Sequence, residues 1–405
     1  SSVAFLAISG LAITFPFQNL AAAFGAGVGV GAATCISVKL GQKDYATAQR
    51  IFGINVTLNL VVGIVFSIIT LSFLNPILLF FGASKDTLPY AREYMEVILA
   101  GNVIQQMFFG LNAVLRAASK PKHAMGASML SVLLNVILAP IFIWPLGMGI
   151  RGAAWATVIS QSVALAWQCR LFSNKNEIMH FRRGIYRPES QIVKNIFAIG
   201  MSPFAMNVCA CIVVIFINTG LQKYGGDMAV GAYGIANKMA FIFIMINMGV
   251  NQGMFPITGY NYGARRYDRL LRLLKYGLCT GFSITTFGFI LVHLFPYLCA
   301  RLFTTDATLI SISIRAIQIN MLAFPLVGIQ MITTGFFQGI GKAKISMLLS
   351  LSRQMLFLLP LLIVLPRFVG LDGIWISLPI ADTTASILAT IILIRYVRRF
   401  LHSER

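Results

Sequence analysis

Two charged residues lie deep inside long apolar stretches, where a charge finds few partners. Arg353 lies about nine residues from one end of its stretch and Asp382 about ten residues inside the next, so both reach about mid-bilayer depth at about 1.5 Å of helical rise per residue. Because consecutive spans run antiparallel, we predict an Arg353–Asp382 ion pair. Such a pair either clamps two helices or takes part in the coupling of an ion gradient, and the sequence leaves both roles open.

Lys238 is a third charge inside an apolar stretch, with Asn237 beside it. Its apolar neighbours cannot satisfy an ammonium group. The side chain therefore faces a wet cavity, where it would attract anionic or zwitterionic compounds or act as a coupling group with a lowered pKa, or it extends to the outer interface. Glu96 and Arg315 lie nearer the outer ends of their stretches, and we expect them to line an outer vestibule.

Uncharged polar side chains also occupy the apolar stretches. In a membrane each must hydrogen-bond to another helix, to water or to a bound compound. The residues concerned are Asn112, Asn135, Asn207, Asn218, Asn247, Gln252 and Gln330.

No combination of residues in this sequence indicates an enzyme. The chain has no phosphate-binding glycine loop, no paired catalytic carboxylates and no His/Cys cluster, so we expect no catalytic residues, no metal site and no cofactor. The six cysteines lie in or beside apolar stretches and indicate neither a disulfide framework nor a zinc site.

The composition is that of a membrane protein. Of the 405 residues, 58% are hydrophobic and only 11% are charged, which is too few charges to cover a soluble protein of this size. Apolar stretches long enough to cross a bilayer recur along the chain, and the sequence predicts an all-α polytopic membrane protein. The net charge of +20 falls in short clusters between these stretches, which indicates membrane orientation rather than nucleic-acid binding.

Apolar stretches and charged breaks predict eleven spans. Lys and Arg concentrate in alternate loops, and these loops are predicted to be cytoplasmic. The spans are 4–37, 49–80, 88–116, 122–146, 152–173, 192–222, 229–260, 268–303, 308–339, 344–366 and 372–401.

An internal repeat relates the two halves of the chain. "ISVKLGQKDYATAQR" (36–50) is echoed by "TGYNYGARRYDRLLR" (258–272), and "SKPKHAM" (119–125) by "GKAKISM" (341–347), both at a spacing of 222. A third echo, "PLGMGIRG" (145–152) with "PRFVGLDG" (366–373), has a spacing of 221. Three matches in order indicate a duplication, and both copies put their basic loops on one side, so the halves share one topology.

The repeat predicts two pseudosymmetric six-helix lobes. We assign 1–173 to an N-terminal lobe, 174–191 to a cytoplasmic linker and 192–405 to a C-terminal lobe. The counterpart of the span at 192–222 falls before residue 1, so we expect a twelfth, N-terminal span in the natural protein.

Several motifs together resemble the multidrug and toxic compound extrusion (MATE) transporters. "GIANK" (234–238), "NQG" (251–253) and "GYNYGA" (259–264) resemble the eighth helix of that family, and "NAVLRAASKPKHAM" (112–125) resembles a motif of its first half. Further stretches are similar to the DinF-like bacterial branch and extend the resemblance over essentially the whole chain. They are "FFQGIGKAK" (336–344), "SRQMLFLLP" (352–360) and "GLDGIWISLPIAD" (370–382).

The resemblance implies secondary active efflux of small organic molecules. It implies a central cavity between two lobes and alternating access driven by a proton or sodium gradient, in a bacterial cytoplasmic (inner) membrane. By repeat position and resemblance we predict Asn207, Asn237 and Gln330 as cavity contacts, with Asn112 and Asn135 as further lining residues. We expect a monomer in the lipid bilayer, with no nucleic-acid partner.

Two departures from the family pattern bear on this expectation. The family's first helix, which in this branch usually carries a coupling carboxylate, is absent from these residues. The fifth helix commonly reads "N-x-x-L-D-P", whereas this chain reads "NVILAP" (135–140), with Ala139 in place of the acid. This change puts the usual preference for cationic drugs in doubt. The alternative function is that of a flippase from the same superfamily, with a lipid-linked or amphipathic substrate. A channel is a weaker alternative, because two pseudosymmetric six-helix halves suit rocking lobes better than an open pore.

Overall fold

A computed structural model describes residues 2–403 of the chain, and Ser1, Glu404 and Arg405 lie outside the described residues. Its regular elements are α-helices and one π-helical turn, and residues 2–403 contain no β-strand. The predicted all-α membrane fold is confirmed. The chain divides into two compact units, Ser1–Asn207 and Val208–Arg405, which are described separately.

The first unit contains seven helices and the beginning of an eighth. The helices are α1 (Ser2–Gly41), α2 (Tyr45–Ser72), α3 (Leu74–Phe80), α4 (Leu88–Ala100), α5 (Asn102–Ala117), α6 (Pro121–Ile143) and α7 (Gly149–Phe172), and α8 (Ser190–Gly263) begins in this unit. Helix α2 starts where it does because the Asp44 carboxylate accepts a hydrogen bond from the Thr47 backbone N–H at 3.2 Å. Hydrogen bonds from the Thr47 side chain and from its backbone N–H lower the pKa of Asp44 below its ordinary value.

The second unit contains the rest of α8 and the remaining elements. These are α9 (Tyr267–Leu294), α10 (Pro296–Arg301), α11 (Ala307–Asn320), α12 (Phe324–Gly339), α13 (Ala343–Leu351), a π-helical turn (Ser352–Leu358), α14 (Leu359–Val369) and α15 (Leu371–Ser403). Helix α8 is broken at Gly226, where φ is 67° and ψ is −165°. Glycine adopts this left-handed backbone without the steric penalty of a Cβ.

Helix length and composition agree with a polytopic protein. Within the described residues, seven helices are long and apolar enough to cross a membrane, or up to nine when each of two bent pairs counts as one span. One of the seven is the 74-residue α8, which covers two of the predicted spans. The prediction of eleven spans, with a twelfth before them, stays a prediction.

The internal repeat has a counterpart in the helix breaks. The pair α4 and α5 bends by 53° at Gly101, and the pair α11 and α12 bends by 51° at a break of residues 321–323. Gly101 and Ala323 are 222 positions apart. In the second copy Pro325 lies in the first turn of α12, where its missing backbone N–H costs no helical hydrogen bond.

Helix contacts also repeat at this spacing, with the large and small residues exchanged. In the first unit Asn59 of α2 fills the space left by Gly110 of α5, and a Cβ on Gly110 would collide with the Asn59 amide. The positions 222 later are Gly281 of α9 and Ile332 of α12, and here the glycine makes room for the isoleucine, whose Cγ1 would lie 2.6 Å from a Cβ on Gly281. The corresponding helices therefore pack closely in both units, but the glycine lies on α5 in the first unit and on α9 in the second.

A second exchanged pair lies one turn away. Gly63 of α2 lies over the Gln106 side chain of α5, whereas the positions 222 later are Thr285 of α9 and Gly328 of α12. Thr285 Oγ1 would lie 2.5 Å from a Cβ on Gly328, and it donates to the Gly281 carbonyl oxygen at 2.9 Å. The spacing of 222 residues therefore relates buried helix contacts as well as loop motifs.

The glycine-rich stretch of α1 is a packing surface within the first unit. A Cβ on Gly31 would collide with the Ile196 carbonyl oxygen of α8, and a Cβ on Gly200 would collide with the Gly27 carbonyl oxygen. The rings of Phe24 and Phe204, 4.7 Å apart between centroids, continue the contact. The two backbones approach closely only because glycine stands at these positions.

The segment between α7 and α8, residues 173–189, is named here the interlobe strap. It forms no helix, but its polypeptide is fixed to the first unit. The Gln49 side-chain amide donates to the His180 carbonyl oxygen, and Thr57 Oγ1 donates to the Tyr186 carbonyl oxygen at 2.8 Å. Phe181 packs on Phe52, with centroids 5.4 Å apart.

Candidate functional site

Arg353 and Asp382 are in direct contact in the second unit. Arg353 lies on the π-helical turn and Asp382 lies on α15, and Arg353 Nε donates to Asp382 Oδ1 at 2.6 Å. The Asp382 side chain is 7% exposed and that of Arg353 is 27% exposed. The structure thus brings together the two charges that the sequence placed at equal depth.

The π-helical turn has a local cause. Pro360, in the first turn of α14, has no N–H to donate to the carbonyl one helical turn back. The preceding turn widens, and the Leu359 N–H bonds to the Gln354 carbonyl oxygen five residues earlier. Arg353 sits on this widened turn, so the backbone distortion and the ion pair occupy the same place.

Apolar and aromatic residues surround the pair. Asp382 follows Leu378 and Ala381 on α15, both buried in the largest apolar cluster of the second unit, together with Leu358. Tyr233 of α8 is buried in the same cluster, and its ring lies 6.4 Å from that of Trp375. In such surroundings each charge depends on the other, because neither is well hydrated.

This geometry supports one kind of chemistry. Arginine keeps its charge, so the Asp382 carboxylate is the member of the pair that a proton can neutralise. A proton or a sodium ion that reaches Asp382 competes with the Arg353 guanidinium for the same oxygens. Binding of either ion would release Arg353 and with it the contact between the π-helical turn and α15.

Lys238 and Asn237 lie together on an exposed strip of α8. Tyr233, Ala236 and Met239 of the same helix are buried, whereas both polar residues are exposed. Lys238 forms no ion pair with any residue that the structure describes. It is therefore a cation open to an external partner, and its predicted contact with substrate stays a prediction.

The remaining predicted contact residues have partners inside the units. Asn207 is exposed, and its amide donates to the Pro203 carbonyl oxygen at 2.8 Å. Gln330 is buried and donates to the Leu349 carbonyl oxygen at 3.3 Å, which ties α12 to α13. Both amides keep acceptor oxygens, so contact with a substrate remains a prediction for each.

Asn112 and Asn135 join helices of the first unit. The Asn112 amide donates to the Ala124 carbonyl oxygen at 2.9 Å, and its oxygen accepts a hydrogen bond from Arg116. The Asn135 amide donates to Thr157 Oγ1 at 2.9 Å. These bonds tie α6 to α5 and to α7, which is the helix-joining alternative for polar residues in a membrane.

Two other charges, those of Arg315 and Glu96, have partners that were not predicted from the sequence. Arg315 of α11 bonds Asp372 of α15 at 2.8 Å, and Glu96 bonds Arg92 one turn away at 2.7 Å. Both pairs are largely exposed. The available signal was that Asp372 begins its span on the same predicted side of the membrane as the end of the span that contains Arg315.

No metal site is found in the part of the chain that the structure describes: no three His, Cys, Asp or Glu side chains group there in a way that could hold an ion. The six cysteines are free.

Comparison with known proteins gives a consistent result. The MatE family model matches residues 2–141 and 199–364. The multidrug export protein MepA of Staphylococcus haemolyticus is 30% identical over 385 residues, covering 95% of this chain and 84% of the relative. A crystal structure described as MATE in the bent conformation superposes with a TM-score of 0.93 at 25% identity, covering 98% of this chain and 89% of that one.

A further solved structure is similar over the same length. It is a MOP superfamily transporter from Pyrococcus furiosus Vc1, for which a reverse polarity of the binding pocket is described as suggesting a different function. It has a TM-score of 0.90 and 26% identity, and covers 96% of this chain and 88% of the other.

Proposed function

This chain belongs to the MatE family, as its motifs predicted, and on that premise we propose that it is a multidrug exporter driven by an ion gradient. Its function is secondary active efflux of small organic compounds by alternating access, with a proton or a sodium ion moving in the opposite direction. The family match and the relative named as a multidrug export protein support export. They do not favour the flippase alternative.

The observation that carries the coupling proposal is the buried Arg353–Asp382 contact. A coupled exporter needs a group that exists in two states and prefers a different conformation in each. Asp382 supplies the two states, paired with Arg353 or occupied by the ion. The π-helical turn supplies a backbone element that can rearrange when the pair opens.

The proposed location is the cytoplasmic membrane of a bacterium, where proton and sodium gradients are maintained. The chain works there as a monomer, with the lipid bilayer and the small-molecule substrate as its partners. Relatives of bacterial origin and the series of apolar helices support this location.

Lys238 and Ala139 bear on the charge of the substrate. An exposed lysine without an ion pair attracts anionic or zwitterionic groups, and Ala139 supplies no carboxylate for a cation. The structurally similar transporter with a binding pocket of reverse polarity is a precedent for such a change. We propose that this exporter accepts anionic and zwitterionic compounds at Lys238.

Substitution Lys238→Gln tests the proposed substrate charge. Export of an anionic dye is expected to fall about tenfold, because a charge-assisted contact of about 1.5 kcal/mol is lost, whereas export of a cationic dye is unchanged or rises. Dye accumulation is measured in bacterial cells without their own drug pumps, at matched amounts of membrane protein. Lys223→Gln is the control, because Lys223 lies on α8 before the break at Gly226 and contacts the Tyr224 ring. Equal effects of both substitutions on the anionic dye would contradict the role of Lys238.

The same cells test the proposed function itself. Expression of the chain is expected to lower dye accumulation, and collapse of the membrane gradients with an ionophore is expected to restore it. Export that survives loss of both the proton and the sodium gradient would exclude secondary active transport.

A further inference from the structure

The charges of the interlobe strap are divided between two faces. Its two acids turn toward the first unit, where Glu177 bonds Lys120 at 2.6 Å and Glu189 bonds Arg50 at 3.5 Å. Its exposed bases form no ion pair with any residue in the described range 2–403. They are Lys175, Arg182, Arg183 and Arg187.

The basic side chains could turn toward the first unit only if the strap lost its apolar contacts with that unit. Met179 and Ile185 are buried in the apolar cluster of the first unit, and Phe181 packs between Phe52 and Phe172. A Cβ on Gly53 would collide with the Ile185 carbonyl oxygen, so the strap lies directly on α2. The outward direction of the basic side chains is therefore fixed by the packing of their neighbours.

Apolar side chains are exposed on the strap beside these bases. Ile178 is 55% exposed and Tyr186 is 36% exposed. The strap joins the end of α7 to the start of α8, at the ends of two apolar helices on the side that the loop charges predict to be cytoplasmic. A basic surface with exposed aliphatic and aromatic groups at this level fits the boundary between lipid headgroups and acyl chains.

We propose that the interlobe strap is a binding surface for anionic phospholipid headgroups. Arg182, Arg183 and Arg187 contact the phosphates, and Ile178 and Tyr186 enter the edge of the acyl region. A lipid bound there contacts the interlobe strap, which is the segment that connects α7 to α8. Soluble phosphate would meet the arginines but not the apolar side chains, which is why the surface selects a lipid.

The test compares two triple variants of the full chain. One is Arg182→Gln/Arg183→Gln/Arg187→Gln in the strap. The matched control removes the same charge from exposed positions on the other predicted side, as Arg151→Gln/Arg301→Gln/Arg367→Gln. Purified proteins in detergent are titrated with phosphatidylglycerol or phosphatidylcholine, and bound lipids are counted by native mass spectrometry.

We expect the wild type and the control to prefer phosphatidylglycerol and the strap variant to lose that preference. Each arginine near a charged headgroup is worth a factor of about five in affinity, so the triple change should lower phosphatidylglycerol binding by about a hundredfold. Thermal unfolding in phosphatidylcholine should be the same for all three proteins. If the triple variant does not fold, Arg183→Gln alone is expected to weaken phosphatidylglycerol binding about fivefold.

Three results would overturn the proposal. The first is an equal loss of phosphatidylglycerol in the strap and control variants, which would mean that net charge alone attracts the lipid. The second is a wild type that binds both lipids equally. The third is displacement of phosphatidylglycerol by inorganic phosphate at comparable concentration, since the apolar contacts would then contribute nothing.

Discussion

Substitution Asp382→Asn is expected to abolish gradient-driven export while the protein still reaches the membrane. Asparagine keeps the size of the side chain but cannot exchange a proton, and it leaves the half-buried Arg353 without a carboxylate. Removing one partner of a buried pair costs about 3–5 kcal/mol, so a lower unfolding temperature is also expected. Export is measured in proteoliposomes with an imposed gradient, and stability by thermal unfolding of the purified protein.

A second Arg–Asp pair in the same unit provides the control. Arg315 and Asp372 lie at a similar distance, 2.8 Å, but their side chains are 66% and 38% exposed. Exposed pairs contribute about 0–1 kcal/mol, so Asp372→Asn should change neither stability nor export appreciably. If Asp372→Asn and Asp382→Asn behave alike, burial of the Arg353–Asp382 pair has no special role.

The double variant Arg353→Met/Asp382→Leu separates coupling from simple helix clamping. Apolar residues in place of both charges should restore stability, because no unpaired charge remains. If the pair couples the ion, export stays lost in this folded protein. Recovery of export together with stability would show that the pair only holds the π-helical turn to α15.

Substitution Gly31→Val is expected to have the second large effect, on folding rather than on coupling. Even a Cβ at Gly31 would collide with the Ile196 carbonyl oxygen, and a backbone atom cannot turn aside as a flexible side chain can. Overpacking of this kind costs about 1–3 kcal/mol, so the variant should unfold at a lower temperature and reach the membrane in smaller amounts. Thermal unfolding of purified protein measures the effect.

The control for this prediction is a glycine with free space. At Gly249 of α8 no atom lies within 4 Å of the position that a Cβ would take, and the backbone is helical. Gly249→Ala should be neutral or slightly stabilising, since alanine favours the helix. Normal stability of Gly31→Val would mean that α1 and α8 are not packed as closely as described.

The Arg353–Asp382 pair could be predicted from the sequence by counting residues from the ends of the two spans. Consecutive spans must run antiparallel, so two charges at equal depth on neighbouring spans have few other partners. The internal repeat could also be predicted from the sequence, because the charged loops and glycines that mark it recur at a nearly constant spacing. The structure added that core contacts such as Asn59–Gly110 and Gly281–Ile332 follow the same spacing with the residue sizes exchanged.

Other features could not be read from the sequence because they depend on distant residues. The polar composition of residues 173–189 indicates a linker, and its anchoring follows from contacts such as that of Gln49 with His180, 131 positions away. The amide of Asn112 would serve a substrate or a helix equally well, and only the fold shows that it bonds Ala124.

The most direct measurement follows a fluorescent organic anion in proteoliposomes that contain the full chain. A proton gradient and a sodium gradient are imposed in turn, on the wild type and on Asp382→Asn. We predict dye movement under one of the two gradients in the wild type and none in Asp382→Asn. Dye movement of equal rate in both proteins, or none under either gradient in folded wild type that also fails to move a cationic dye, would contradict this prediction.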